Sequence, residues 1–367
     1  MPKYDYLVVG AGFFGATFAR LAADAGKSCL IIESRSHIAG NAYTERVDDI
    51  DVHVYGPHIF HTDNLEIWQF VNRFSEFNNY VNRPKAMANG KLYSLPFNMN
   101  TFYQLWGCTT PVRAQEIIDK QRLKLDRPAE NLEEQALSLV GQDIYELLIR
   151  DYTRKQWKAD PKDLPAFIIK RLPLRFTYDD NYFNDRYQGI PVNGYTALFE
   201  NMLKDIPVEL NVNYFDEREY WSDQAHKIVF TGRIDEFFDY TFGELEYRTL
   251  DFQTEILNTN NYQGTAVINY PEARVPWTRV IEHRHFNTSK SDRTVVTKEI
   301  PAEWNKDKVP YYPINNDHND TMYQRYRNET EHLPNFIFGG RLAEYRYYDM
   351  HQVIGSAMKK FRGDNVQ

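Results

Sequence analysis

The sequence predicts an α/β protein whose first and last segments build one parallel-sheet domain, with a helical segment and a β-rich segment inserted between them. Three observations carry this. A buried-strand pattern, a glycine turn and a helix open the chain. The texture then runs helical from about 98 to 170 and β-rich from about 206 to 300. A second strand–Gly-Gly–helix unit lies near the end.

Tyr6-Leu7-Val8-Val9 is a short apolar run, suited to a strand buried on both faces. Gly10-Ala11-Gly12-Phe13-Phe14-Gly15 follows, and residues 14–25 read as a helix of small and apolar residues that stops at Gly26. A second buried strand, Cys29 to Ile32, ends in Glu33, 21 residues after Gly12. G-x-G-x-x-G between strand and helix, with an acid at that distance, is a dinucleotide-binding pattern. Gly10 allows the turn, Gly12 lets a pyrophosphate approach the backbone, and Gly15 lets helix pack on strand. The helix start offers free N–H groups and a positive dipole end. Glu33 suits a ribose with a free 2′-OH, hence FAD or NAD over NADP.

Residues 63–76 read as a helix capped by Thr62 or Asp63, and 81–97 as a β segment turning at Asn89-Gly90. Glu133 to Leu148 has apolar residues at helical spacing, interrupted at Gly141. Asn335 to Phe338 reads as a last buried strand, followed by Gly339-Gly340-Arg341 and a helix from about Asp349 to Phe361. The second half of the pattern favours FAD. A flavin runs the length of its domain and needs contacts from both chain ends. Flavoproteins of the glutathione-reductase type follow the second-strand acid with a basic residue, a spacer and two glycines. Here His37 holds the basic place and Ala39 replaces the first glycine.

Composition bounds the function. The 367 residues are 42% hydrophobic and 26% charged, a globular balance. With 43 Lys+Arg against 51 Asp+Glu, the net charge of -8 argues against nucleic acid or an anionic membrane as partner. It leaves room for a small anion in a local cationic pocket. Two cysteines form no disulfide framework, and no apolar run reaches transmembrane length. A cytoplasmic protein is expected. His58 and His61, or His283 and His285, have metal-compatible spacing but no further ligand nearby, so no metal is expected.

Eight separated segments then resemble one family. They are Tyr55-Gly56-Pro57-His58-Ile59-Phe60-His61-Thr62, Leu95-Pro96-Phe97-Asn98, Tyr152-Thr153-Arg154-Lys155-Gln156-Trp157, Lys170-Arg171-Leu172-Pro173, Asp180-Asn181-Tyr182-Phe183, Val275-Pro276-Trp277-Thr278-Arg279, Pro310-Tyr311-Tyr312-Pro313, and Gly340-Arg341 through Tyr345 to Met350. In this order they are similar to bacterial UDP-galactopyranose mutases over essentially the whole chain. The resemblance implies an isomerase of cell-surface polysaccharide biosynthesis that interconverts UDP-galactopyranose and UDP-galactofuranose. It implies FAD that is active when reduced, an adduct between flavin N5 and the sugar, and no net redox change. NAD(P)H as reductant and a homodimer are further expectations.

The resemblance also assigns regions and residues. Segments 1–80, 190–240 and 330–367 would form a Rossmann-like FAD domain of glutathione-reductase type. Residues 98–170 would form a helical domain with a mobile lid near 157–180. Segments 81–97, 171–189 and 241–329 would form an antiparallel-sheet substrate domain. Arg171 and Arg279 match the pair that holds the diphosphate, and His58 and His61 belong to the loop beside the flavin. Asn82, Tyr152, Trp157, Tyr182, Arg248, Tyr311, Tyr312 and Tyr347 are the substrate-side candidates. Gly10, Gly12, Phe13, Phe14, Gly15, Glu33, Ser34, Asn41, His58, Ile59, Gly340, Arg341, Tyr347, Asp349 and Met350 are the cofactor-side candidates, with Asp349 as N-cap of the last helix. The alternatives are an amine-oxidase-like flavoprotein and a flavin-binding protein without catalysis. An arginine–tyrosine set suits a nucleotide diphosphate better than the apolar cage of an oxidase.

Overall fold

The computed structural model describes residues 2–169 and 174–365. Its first sheet has five parallel strands in the order Phe336–Phe338, Ala225–Phe230, Tyr4–Val9, Cys29–Glu33, Val208–Leu210. Both faces are covered, which is why its central strands are apolar throughout rather than alternating. Tyr6, Val8, Cys29 and Ile31 face helices Phe13–Asp24, Gly194–Met202 and Met350–Asn365. Leu7, Leu30 and Ile32 face Tyr214, Trp221, Phe237 and Phe338. Residues from both ends of the chain thus complete one sheet, since Ile228 pairs with Phe336 and Tyr6 with Lys227.

Two glycines show why this turn needs them. Gly10 has φ +106°, and a Cβ there would lie 2.1 Å from Thr231 Oγ1. A Cβ on Gly15 would lie 2.0 Å from the Gly10 carbonyl and 2.9 Å from Val8 Cγ1. Helix and strand could not then touch. Ala39, standing where a glycine was expected, keeps the left-handed conformation at φ 74°, which costs a non-glycine residue about 1 kcal/mol. Its N–H donates to Ala11 O across 3.0 Å, so the loop holds its shape against that cost.

The second sheet has seven strands in the order Tyr312–Pro313, Tyr247–Leu257, Thr294–Glu303, Arg279–Glu282, Val267–Asn269, Lys85–Ala88, Lys91–Ser94. All its pairings are antiparallel except that of Val267–Asn269 with Lys85–Ala88. The turn at Asn89-Gly90 has φ of 49° and 71°, the left-handed pair that this dipeptide favours. Helices Met99–Trp106, Pro111–Gln121, Leu132–Val140 and Arg150–Trp157 follow, the first three sharing one buried cluster with Ala86, Ala88 and Tyr93 at the edge of this sheet. Asn98, Thr110 and Asn131 cap the first three by accepting backbone N–H groups.

Three expectations change. The helix expected over 63–76 spans Leu65–Asn72 and is capped by Asn64, which accepts from Glu66 N and Ile67 N. Thr62 closes the preceding strand Phe60–Thr62 instead. Strand Tyr187–Gly189 pairs with Phe60–Thr62, so the described part of 171–189 adds no strand to the large sheet. The stretch 241–329 also contains helix Asp317–Thr330, mostly polar, which buries only Asn319, Met322 and Tyr326 along one stripe.

Candidate active site

A cleft of about 1100 Å³ runs from the Gly10–Gly12 turn and Glu33, past Asn41 and the Tyr55–Ile59 loop, to Gly340, Arg341 and Met350. No described side chain caps helix Phe13–Asp24, so its first N–H groups face the cleft. Glu33 is buried at the strand end. Its Oε2 accepts from Ala11 N (2.9 Å), and its Oε1 accepts from Arg35 N (3.0 Å) and Ser34 Oγ (3.2 Å). The carboxylate therefore fastens the glycine turn and keeps acceptor capacity at the cleft. Arg35 Nη2 donates to Asn41 Oδ1 at 3.0 Å, while Arg35 Nη1 and Arg341 Nε are buried without a partner among the described residues. Uncapped N–H groups at one end and orphaned guanidinium donors along the wall fit a dinucleotide pyrophosphate. Every cofactor-side candidate lines this cleft except Gly15, which acts beneath it through packing.

Asp349 holds the N-cap position of helix Met350–Asn365, its carbonyl accepting from Val353 N at 3.0 Å, but among the described residues no backbone N–H donates to its carboxylate. Asp349 N instead donates to Gln352 Oε1 at 2.9 Å. Its carboxylate faces His61 and His351, and their ligand atoms lie within 4.8 Å of one another. Among the described residues this is the cluster that could hold a cation, rather than either histidine pair singled out by spacing. His61 Nδ1 lies 2.8 Å from Asp185 Oδ2, which places the Nδ1 proton there and leaves Nε2 for the cleft. The His61 ring stacks on Phe183 at 3.8 Å.

His58 is held from two sides. Its Nδ1 donates to Gly56 O (2.7 Å), and its backbone N donates to His53 Nδ1 (3.1 Å). Burial pulls its pKa down to about 4, with Arg341 and Arg279 adding to the effect and the Gly56 contact opposing it. The imidazole is neutral, and its Nε2 remains an acceptor.

A larger cavity of about 1800 Å³ lies beyond, lined by Trp157, Gln156, Phe167, Ile168 and Arg248. The two spaces meet at Tyr152, Arg279, Tyr312 and Tyr347, which line both. Arg279 stands opposite Glu299 in neighbouring strands, with Nη2 2.5 Å from Oε1. Glu299 is fully buried. Burial weighs against the Arg279 charge, but Glu299 and the phenols of Tyr152 and Tyr312 hold its pKa well above the usual value. Arg279 Nε and Glu299 Oε2 remain without partners, so the pair keeps hydrogen-bonding capacity for a ligand. Burial pushes Tyr152 up to about 12 and raises Tyr312, Tyr182 and Tyr347 as well, so these hydroxyls keep their protons.

Asn82 is buried, and its Oδ1 lacks a partner at the cleft wall. Tyr182 and Tyr311 line the cleft, and Arg248 lines the outer cavity with its Nε unpartnered. Arg171 lies outside the described residues. Sequence reasoning missed Glu299, Asp185, His351 and Asn269, whose buried Oδ1 lacks a partner at the cleft wall. Glu299 had a signal: in Thr294–Glu303 it falls on the buried alternate positions with Val295 and Thr297, where an acid is out of place.

Comparison with known proteins adds the following. Residues 147–347 match the family model described as UDP-galactopyranose mutase, and residues 8–74 match an NAD(P)-binding Rossmann-like domain. The chain is 42% identical over 362 residues to a dTDP-fucopyranose mutase of Escherichia coli, covering 96% of each chain. It is 42% identical over 366 residues to a probable UDP-galactopyranose mutase of Klebsiella pneumoniae, covering 98% of this chain and 94% of the other. A crystal structure of reduced UDP-galactopyranose mutase superposes with a TM-score of 0.79 at 12% identity, over 100% of this chain and 94% of that one. A putrescine oxidase superposes at 0.60, which shows a shared fold alone.

Proposed function

Since the chain belongs to the UDP-galactopyranose mutase family, we propose that it interconverts UDP-galactopyranose and UDP-galactofuranose with reduced FAD and no net redox change. The observation that supports this best is the meeting of the two cavities at Arg279. A flavin seated along the inner cleft and a nucleotide sugar entering from the outer cavity would meet beside the residues that line both spaces.

The glycine turn, Glu33, Arg35 and Arg341 would hold a flavin along the inner cleft, where, reduced, it would supply nucleophilic chemistry beside the sugar. The protein does the rest. Arg279, with Arg171 as its proposed partner, neutralises the diphosphate as leaving group and keeps it at hand for the return step. The protonated hydroxyls of Tyr311, Tyr312 and Tyr347 donate to phosphate oxygens. Tyr152, Trp157 and Tyr182 offer faces to the uracil ring. Asn82 Oδ1 and the neutral His58 Nε2 accept from sugar hydroxyls, and His61, oriented by Asp185, lies at the cleft wall. Arg248 meets the nucleotide at the outer rim. We further take NAD(P)H as the reductant, a homodimer as the working state and the cytoplasm as the location. No described helix is long and apolar enough to cross a membrane.

Equal identity to a dTDP-fucopyranose mutase favours a second nucleotide sugar as competitor for the same site. The test is to reduce the yellow protein with dithionite and supply UDP-galactofuranose or dTDP-fucofuranose in turn, following the pyranose by chromatography. Conversion of the first under reducing conditions alone is expected. Conversion of neither refutes mutase activity. Preference for the second moves the substrate. Turnover with peroxide release under air would point to an oxidase.

A further inference from the structure

Lys155 lies on helix Arg150–Trp157, one turn from Tyr152 and two residues before Trp157. Its side chain points away from the cavity, into the connection between strands Val267–Asn269 and Arg279–Glu282. There its Nζ donates to Val275 O (2.9 Å), to Trp277 O (2.9 Å) and to Tyr270 O. An ammonium has three N–H donors, and all three are used. Trp277 is two residues from Arg279, and the intervening Thr278 is tied to Glu299 O through its N–H at 2.8 Å. The connection is closed by Tyr270 N donating to Thr278 O (2.8 Å) and turns where Val275 N donates to Glu272 O (3.1 Å), while among the described residues Lys155 is the side-chain donor to the carbonyls of Tyr270, Val275 and Trp277.

The consequence is geometric. The helix carries the groups facing the nucleoside, and the strand carries the arginine facing the diphosphate. A nucleotide must bridge them. We infer that Lys155 is a positioning residue for nucleotide binding: by gathering three carbonyls of the 270–277 connection, it holds the Tyr152–Trp157 helix at a set distance from Arg279, so that affinity depends on its charge. This rests on the site proposed above.

The charge is open to titration. Burial lowers the Lys155 pKa to about 8, against the pull of Asp151 on its own helix and Glu272 in the connection. Of the other groups around it, Lys298 from the neighbouring strand sits over the Trp277 ring at 5.1 Å, and burial raises the Tyr270 phenol. A neutral amine has only two N–H donors, so deprotonation frees at least one carbonyl and removes charge assistance from the rest.

The test is a UDP titration of flavin-loaded protein by calorimetry at about pH 7.5 and about pH 9.5. The UDP phosphate is already ionised at the lower value, since such groups titrate near pH 6. Burial also moves both cysteines up, Cys29 to about 12. Wild type should lose roughly tenfold in affinity between the two conditions, equivalent to about 1.4 kcal/mol. Lys155→Met should bind weakly at both, with no pH dependence. Lys155→Arg, whose guanidinium does not titrate here, should bind equally at both. If wild type shows no pH dependence, or if Lys155→Arg shows the same loss as wild type, the inference is overturned even should Lys155→Met fail to fold. Lys155→Met matching wild type overturns it too. Wild type that binds no UDP at either pH refutes the proposed substrate site itself, and this inference with it.

Discussion

His283 offers a sharp test of the interior electrostatics. It is 1% exposed. Its Nδ1 accepts the backbone N–H of His53 at 3.2 Å, so the ring proton sits on Nε2 and is donated to Thr297 Oγ1 at 2.8 Å. A second proton would set N–H against N–H. Burial accordingly lowers its pKa to about 3. The unfolded chain has the ordinary value near 6.5. Below that pH the unfolded state takes up a proton that the folded state refuses. Stability is therefore full above about 6.5 and is lost progressively as the pH falls toward the folded value. The slope is about 1.4 kcal/mol per pH unit, so by pH 5 this residue costs about 2 kcal/mol. His283→Gln removes the titration while keeping an N–H for Thr297. The variant starts less stable, because His53 N loses its acceptor. The stability gap between the two proteins should then shrink by about 2 kcal/mol between pH 7.5 and pH 5 in urea unfolding of the flavin-loaded proteins. His53 and His58, also held low by burial, are present in both and cancel. Parallel curves would refute the argument, since they would mean that His283 accepts its proton in the folded state.

Two further outcomes are expected. Gly15→Ala forces a methyl group into the Gly10 carbonyl at 2.0 Å, so the helix must move off the strand. It should cost about 1–3 kcal/mol and most of the flavin, read as melting temperature and as yellow absorbance per mole of protein. Arg279→Ala leaves Glu299 buried without its cation and should destabilise by about 3–5 kcal/mol while abolishing turnover. Adding Glu299→Gln should return most of the stability and none of the activity, a split visible by unfolding and a reduced-flavin assay side by side.

What was legible in the sequence was local. Gly10, Gly12, Gly15 and Glu33 lie within one βαβ unit, so their spacing alone places them around one turn. The helix Met350–Asn365 and the strand before it were visible for the same reason. Arg279 and Tyr152 were found only through resemblance of their segments, because nothing in spacing says that they share a cavity. The unread parts depend on pairing at a distance. Glu299 meets Arg279 through strand register, His53 meets His283 across 230 positions, and Lys155 meets carbonyls that leave no mark in side-chain chemistry. Cap positions failed by a residue or so for a simpler reason. Thr62, Asp63 and Asn64 are all capable caps, but Thr62 is paired with Tyr187 and Asp63 Oδ1 accepts from Arg186 N, which leaves Asn64 to serve.

The split sheet has a consequence for how the chain is made. Strand Phe336–Phe338 seats beside Ala225–Phe230, and helix Met350–Asn365 covers helix Phe13–Asp24. Asp364 binds both Tyr6 Oη and Lys227 Nζ, so one carboxylate ties the closing helix to the first strand and to its neighbour. During synthesis the glycine turn emerges early, yet the wall opposite it emerges only after the inserted segments. A nascent chain stalled before residue 336 carries the glycine turn but lacks Gly340, Arg341 and Met350, which line the far end of the same cleft. A ligand long enough to span that cleft is gripped from both ends only once these residues have emerged, so its uptake falls late in synthesis.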